Sequence, residues 1–461
     1  MNRFIGDRYF YKRVLLIAVP IMIQNGITNV VSMLDNIMVG QIGTEPMSGV
    51  AIVNQFMFVF FICLIGATAG AGIMGAQYYG SGNTDGVRNT FRFKLISCLA
   101  ITAVCMLVLM TFGDNLISAF LHEGEGGENL AETLEYGREY MEVMYVGMIP
   151  FALTQAYSST LRETGQTVVP MAAGIAAVCV NLLLNYVLIF GKLGAPALGV
   201  VGAALATTVS RFVELSLVAV WTHKNASKNP FAAGVYSSMK IPRTVAAKVF
   251  KVGAPLLINE VLWALGVSML TQCYSVRGLD VVAAVNISNT LSNVFNVVFI
   301  SMGNATGIII GQILGAGDLK RARDEDTKLI AFSVFCCIIT GLLMFSLASL
   351  FPQIYNTSEN VKELAAAFIR IVGLCMPIYG FVNAAYFTLR SGGKTIITFL
   401  FDGGFMWAFA IPIVFCLSRF TSMAIVPIYL ISQLTDFVKC TIGFILVKKG
   451  AWLHNMAVEG E

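Results

Sequence analysis

Apolar runs of membrane-spanning length recur along the whole chain. They fall at about residues 14–40, 49–79, 91–113, 143–160, 168–190, 198–221, 247–275, 281–312, 328–350, 364–389, 397–417 and 423–447. A helix crosses a bilayer with roughly 20 apolar residues, so the pattern predicts twelve spans. The longer runs imply tilt or protrusion. Composition agrees: 57% of the 461 residues are hydrophobic and 12% charged, against about twice that charged fraction in soluble proteins. A soluble fold of this length could not cover itself with so few charges. That excludes cytosolic enzymes, secreted domains and nucleic-acid binders. A net charge of +4 is too small to suggest a nucleic-acid partner.

Arg3, Arg8, Lys12 and Arg13 precede the first run, as in the charged region of a signal peptide. The run holds Pro20, Gln24 and Asn25, lacks a small-x-small cleavage site and continues past Val31. It reads as an uncleaved first membrane helix. With the N-terminus in the cytoplasm, 22 of the 30 Lys and Arg fall on cytoplasmic segments and five on external ones. With charges at the edge of a run counted with the adjoining loop, three lie within runs: Arg211, Arg370 and Lys439. The longest external loop carries Glu123, Glu125, Glu128, Glu132 and Glu135. This bias places both termini in the cytoplasm. All ten cysteines lie in apolar runs without a C-x-x-C pair, which suits packing rather than metal binding. His122, His223 and His454 read as loop or tail residues.

The chain repeats itself. At an offset of 235, Pro20 matches Pro255, Asn54 matches Asn289, Gly72 matches Gly307 and Gln77 matches Gln312. Gly80-Ser-Gly-Asn83 then matches Gly315-Ala-Gly-Asp318, and Arg88 matches Arg323. A second echo, at 228, pairs Leu161-Arg-Glu-Thr-Gly-Gln-Thr167 with Leu389-Arg-Ser-Gly-Gly-Lys-Thr395. The organisation expected is an N-lobe over 1–221, a basic cytoplasmic linker over 222–246 and a C-lobe over 247–461. Six spans per lobe make the repeats parallel, a plan that puts a central cavity at the lobe interface.

Polar residues inside the runs mark candidate sites. The first run carries Asn25, Thr28, Asn29, Ser32, Asp35 and Asn36 on one helical face, and the eighth carries Asn286, Asn289, Asn293 and Asn296. Amides facing lipid are costly, so these faces point inward, either to a cavity or to helix–helix hydrogen bonds. Five carboxylates fall within runs: Asp35, Glu214, Glu260, Asp402 and Asp436. Glu214 can pair with Arg211 and Asp436 with Lys439, three residues away in each case, and Asp402 can snorkel to the cytoplasmic surface. Asp35 and Glu260 have no basic neighbour at i±3 or i±4 and are the functional candidates. A carboxylate without a counter-cation in a low-dielectric medium tends to keep its proton until water or a cation arrives. Asn181 and Asn185 share a face of the fifth run, and the small-residue stretch Gly202–Thr207 lets the sixth helix approach closely. Such oxygens suit a hard cation such as Na⁺, whereas an aspartate alone suffices for a proton. Pro20, about four turns before Asp35, kinks its helix and is either a hinge or a static bend.

These residues resemble the multidrug and toxic compound extrusion (MATE) family. The resemblance spans about 13–445 and rests on Pro20 with Met33-Leu-Asp-Asn-Ile-Met-Val-Gly40, the Gln-x-x-Gly-x-Gly stretches at 77–82 and 312–317, Asn181-x-x-x-Asn185, Gly202–Thr207 and the Leu-Arg-x-x-Gly-x-Thr pair. It implies a cation-driven antiporter that exports organic, often cationic and aromatic, compounds in exchange for H⁺ or Na⁺, with no cofactor. It maps the coupling site onto Asp35, Asn181, Asn185, Ala203 and Thr207, and the hinge onto Pro20. Asn185 stands where some members have an aspartate, which removes one negative charge. Glu260 matches a family glutamate, while the tenth-span aspartate of some members is Asn383 here, so Glu260 is read as a substrate contact. The substrate cavity expected comprises Asn25, Asn29, Ser32, Glu260, Trp263, Asn286, Asn289, Asn293 and Asn383. The partners implied are a small organic substrate and the lipid bilayer, for a monomer in the plasma membrane. Three alternatives fit the residues less well. A major facilitator would carry a G-x-x-x-D-R-x-G-R-[RK] signature, missing from Gly80 to Arg92. A lipid-linked oligosaccharide flippase of the same superfamily would have a more cationic cavity. An integral-membrane enzyme would need a clustered catalytic set, and no such arrangement is present in the sequence.

Overall fold

The computed structural model describes residues 4–120 and 130–457. Arg3, His122, Glu123, Glu125 and Glu128 lie outside the described residues. The regular elements are all helical, without a β-strand among the described residues. Twelve long helices occupy the twelve apolar runs: α1 (Arg8–Gly40), α2 (Thr44–Gly80), α3 (Thr84–Phe120), α4 (Leu130–Glu163), α5 (Val168–Phe190), α6 (Gly199–Lys224), α7 (Arg243–Ser275), α8 (Leu279–Gly315), α9 (Leu319–Leu347), α10 (Glu359–Ser391), α11 (Thr395–Phe420) and α12 (Ile425–Lys449). Among the described residues, eleven of these are long and apolar enough to cross a membrane. The twelfth, α4, is long enough but starts with a polar segment. Its helix begins 13 residues before the apolar run, so Glu132 and Glu135, expected in a loop, lie in its first turns. Carboxylates are favoured there by the helix dipole. His223, also expected in a loop, lies in the last turn of α6.

The helices form two compact units. The N unit comprises Ile23–Gly75 and Thr84–Ala247; the C unit comprises Met1–Met22, Ala76–Asn83 and Lys248–Glu461. Thus α1 and α2 each contribute to both.

In the N unit, α4 packs on α3 and α6, and α6 on α5. The α5–α6 contact is close because Gly202 lacks a side chain: a Cβ there would lie 2.7 Å from the Leu188 carbonyl oxygen. The segment 222–246 holds a short 3₁₀ turn, Pro230–Ala232. Arg92 donates to the carbonyls of Val235 and Gly234 at 2.9 Å each, and Phe231 stacks edge-on against Phe91. The linker is therefore anchored to α3.

In the C unit, α10 lies against α8, α9 and α12. The repeated Gln-x-x-Gly-x-Gly stretches have a structural reason. Gly80 abuts the backbone of Gln312 and Gly315 abuts the backbone of Gln77, a reciprocal crossing that any Cβ would block. Gly82 and Gly317 adopt φ values of 74° and 79°, where side chains are strained. Helix α11 departs from α geometry over Leu400–Gly404 and Met406–Ala410, which are π-helical.

Candidate functional site

The polar stripe of α1 ends at Asp35, opposite α5 and α6. The buried positions of α5, Pro170, Ala173, Ala177, Asn181, Asn185 and Ile189, follow helical spacing. Its packing face therefore carries both asparagines inward. Asn185 Nδ2 donates to Asp35 Oδ1 at 2.6 Å and to Asn181 Oδ1 at 3.2 Å; Asn181 Nδ2 donates to Thr207 Oγ1 at 3.3 Å. Four of the five residues expected at a coupling site thus form one hydrogen-bonded chain. The fifth, Ala203, is buried one turn before Thr207 on α6. Asn185 is 1% exposed, and its Oδ1 has no hydrogen-bond partner. The network offers a carboxylate, amide oxygens and a hydroxyl in a secluded place, which suffices to hold a proton or a small monovalent cation.

Three further groups surround Asp35. Tyr140 of α4 donates to Asn54 Oδ1 at 3.4 Å, and its hydroxyl interacts with Thr207 and with the charge of Asp35. Arg211 acts on Asp35 electrostatically from α6. It pairs with Glu214 at 3.2 Å, as its spacing predicts, and lies 4.7 Å from the centre of the Phe151 ring. Sequence spacing could not connect Tyr140 or Arg211 with Asp35, because the contacts join different helices.

The other expected residues have more varied places. Asn29 and Ser32 are exposed on α1, and Asn25 is half-buried. Asn286, Asn289 and Asn293 are exposed on α8, opposite the buried stripe of Val285, Ser288, Leu291 and Ser292. In the C unit, Trp263 is exposed and Glu260 half-buried; Glu260 faces the charges of Arg390 and Asp402. Asn383 lies against Gly303, and its Oδ1 is buried without a partner.

Two expectations about charge need correction. Lys439 pairs with Asp402 of α11 at 2.5 Å, although Asp436 lies three residues before it on its own helix. Asp402 does not snorkel: Asn259 Nδ2 donates to its Oδ2 at 3.0 Å, and Asn259 Oδ1 accepts from the Gly403 amide at 2.9 Å. Two further carboxylates lie in the interior. Glu163 pairs with the fully buried Lys94 at 2.5 Å, and Asp326, 1% exposed, accepts from Thr388 Oγ1 at 2.5 Å. Both sit near the ends of apolar runs, where they look like edge charges. Arg370, by contrast, is exposed and donates to Ser349.

Fold and site together define a multi-pass, all-helical membrane protein with a polar network inside its helices. The MatE family model matches residues 20–187 and again 255–416, and the chain belongs to that family. A probable multidrug resistance protein NorM of Thermotoga maritima is 24% identical over 446 residues, covering 96% of this chain and 93% of that protein. A NorM protein of Neisseria meningitidis serogroup B, also described as a probable multidrug resistance protein, is 27% identical over 418 residues, covering 88% and 87%. Among solved structures, an outward-facing multidrug resistance MATE family transporter of the MOP superfamily superposes with a TM-score of 0.85 at 17% identity, covering 97% of this chain and 96% of that one. A MOP superfamily transporter from Pyrococcus furiosus gives the same figures. At that identity the likeness shows the fold alone.

Proposed function

We propose that this chain is a secondary antiporter that exports small organic compounds, often cationic and aromatic, in exchange for H⁺ or Na⁺ by alternating access. The observation that carries this reading is the Asp35–Asn185–Asn181–Thr207 chain. A carboxylate inside a membrane helix costs at least a few kcal/mol, and here it ends a secluded network with an acceptor to spare. The descriptions of the relatives as multidrug resistance proteins support it. The two matches of the family model support two parallel six-helix repeats, and the distribution of Lys and Arg supports cytoplasmic termini.

In this reading Asp35 takes up the coupling ion, α1 rearranges about Pro20, and the substrate leaves. Glu260, Trp263 and Asn383, with Asn286, Asn289 and Asn293, contact the substrate. The exposed amides of α8 favour a wet cavity, since lipid would leave them unsatisfied.

The test is efflux of a fluorescent cation from proteoliposomes under separate H⁺ and Na⁺ gradients. Asp35→Asn should abolish gradient-driven efflux and keep the protein folded, because the amide preserves size. Unchanged efflux by that variant would remove Asp35 from the mechanism.

A further inference from the structure

The C unit contains an ion pair with a spare acceptor. Lys439 Nζ lies 2.5 Å from Asp402 Oδ1 and 5.6 Å from the centre of the Phe401 ring. Asp436 is one turn away on α12, feels the charge of Lys439 and is not its ion-pair partner. Lysine is a compact charge on a flexible stem, so one ammonium can serve either carboxylate with little backbone movement. Asp402 lies within electrostatic reach of both Glu260 and Asp436, with Arg390 acting on Glu260 and Lys439 on Asp402 and Asp436. While Lys439 pairs with Asp402, Asp436 stays outside the ion pair and can receive the ammonium. Asp402 is also the more accessible partner, with its side chain 18% exposed against 9% for Lys439. It sits in the π-helical part of α11, and π turns are frequent at functional sites. Phe401 shows that an aromatic face already lies beside the ammonium position, an arrangement that also favours organic cations.

We propose that Asp402 is a binding carboxylate for the transported organic cation and that Lys439 is its built-in competitor. In the substrate-free protein Lys439 occupies Asp402. An incoming ammonium or aromatic cation displaces it, and Lys439 moves to Asp436. Cation entry is thereby matched by a partner exchange, and Lys439 keeps a carboxylate partner in both states. Release follows by the reverse exchange. This inference rests on the reading of the protein as an exporter of organic cations.

The experiment measures ethidium binding to the detergent-purified protein and ethidium efflux from proteoliposomes, with KM and kcat separated. Lys439→Met removes the competitor and should lower Kd and KM about tenfold, with kcat falling as release slows. Asp436→Asn leaves the Asp402–Lys439 pair intact but removes the alternative acceptor, so Kd and KM should rise several-fold. Asp402→Asn should lose ethidium affinity. A pair with a merely structural role would give a lower melting temperature for Lys439→Met without tighter binding, and no effect of Asp436→Asn on Kd. Either result overturns the inference. The Asp436→Asn arm stands even where Lys439→Met folds poorly, because it breaks no ion pair seen in the structure. Wild-type protein that neither binds nor transports ethidium would instead sink the cation-export reading. Ethidium transport with flat variant responses would sink only the competitor.

Discussion

Lys94 and Glu163 show what a membrane helix bundle asks of single residues. Lys94 is fully buried, and its ammonium contacts both Glu163 oxygens and Thr160 Oγ1. Ser159 adds a donor to Glu163 at 2.6 Å. Gly72 and Gly75 of α2 make room: a Cβ at either would stand 2.8 Å and 2.5 Å from the Glu163 oxygens. Removing one partner strands the other charge, which costs roughly 3–5 kcal/mol, whereas removing both costs far less. Lys94→Met and Glu163→Gln should each lower the melting temperature in detergent strongly, and the double variant should recover much of the loss. A double variant as unstable as the sum of the singles would show that the pair is uncoupled. None of this was legible in the sequence, because the partners are 69 residues apart and each lies near the edge of an apolar run. By contrast, the pairing of Arg211 with Glu214 was legible, since it needs only helical spacing. The same rule misassigned Lys439: spacing offers Asp436, but packing brings Asp402 closer. The Asp35 network lies between these cases. The i, i+4 asparagines and the carboxylate stripe are visible in the sequence, while Tyr140 and Arg211 join them only through folding.

At the scale of elements, apolar length was enough to locate every long helix among the described residues, because a chain in lipid must satisfy its backbone within itself. It could not locate the π turns of α11, which leave no mark in hydropathy. Nor could it decide whether Pro20 is a hinge. The structure adds one observation. Helix α1 is continuous from Arg8 to Gly40, and the boundary between its two compact units falls between Met22 and Ile23, two residues past the proline. Proline supplies no N–H and holds its ring against the preceding turn, which weakens the helix at that point. Pro20→Ala should therefore stiffen α1 where its surroundings change. The expected outcome is a several-fold slower efflux rate with a melting temperature equal to or above wild type. Wild-type rates in Pro20→Ala would mark the kink as static.

For the molecule as a whole, the C unit depends on pieces of chain far apart in sequence, and its last described residues hold several of them. Trp452 is fully buried in a core that includes Val14, Ile309 and Leu389. Gln77 Nε2 donates to the carbonyls of Ser391 at 2.8 Å and His454 at 3.2 Å, while its Oε1 accepts from the Met456 amide at 2.7 Å. Asn455 Nδ2 donates to the Gly315 carbonyl at 3.3 Å. The segment thus joins the ends of α2, α8 and α10, where the glycine crossing already brings the repeated motifs together. Nothing in the sequence after residue 449 announced this, because it is too short to show a period and its apolar residues, Trp452, Leu453 and Met456, follow no helical spacing long enough to read. Truncating a fully buried tryptophan removes its transfer energy and leaves a cavity, together about 3–5 kcal/mol. Trp452→Ala should therefore lower the melting temperature markedly. Gln77→Ala should do so as well, since it strands the Met456 amide. If the tail and the α2 end stabilise each other as one contact, the two variants should be less than additive in combination. Additive losses would instead mean that the tail fills the core and contributes nothing to holding α2 in place.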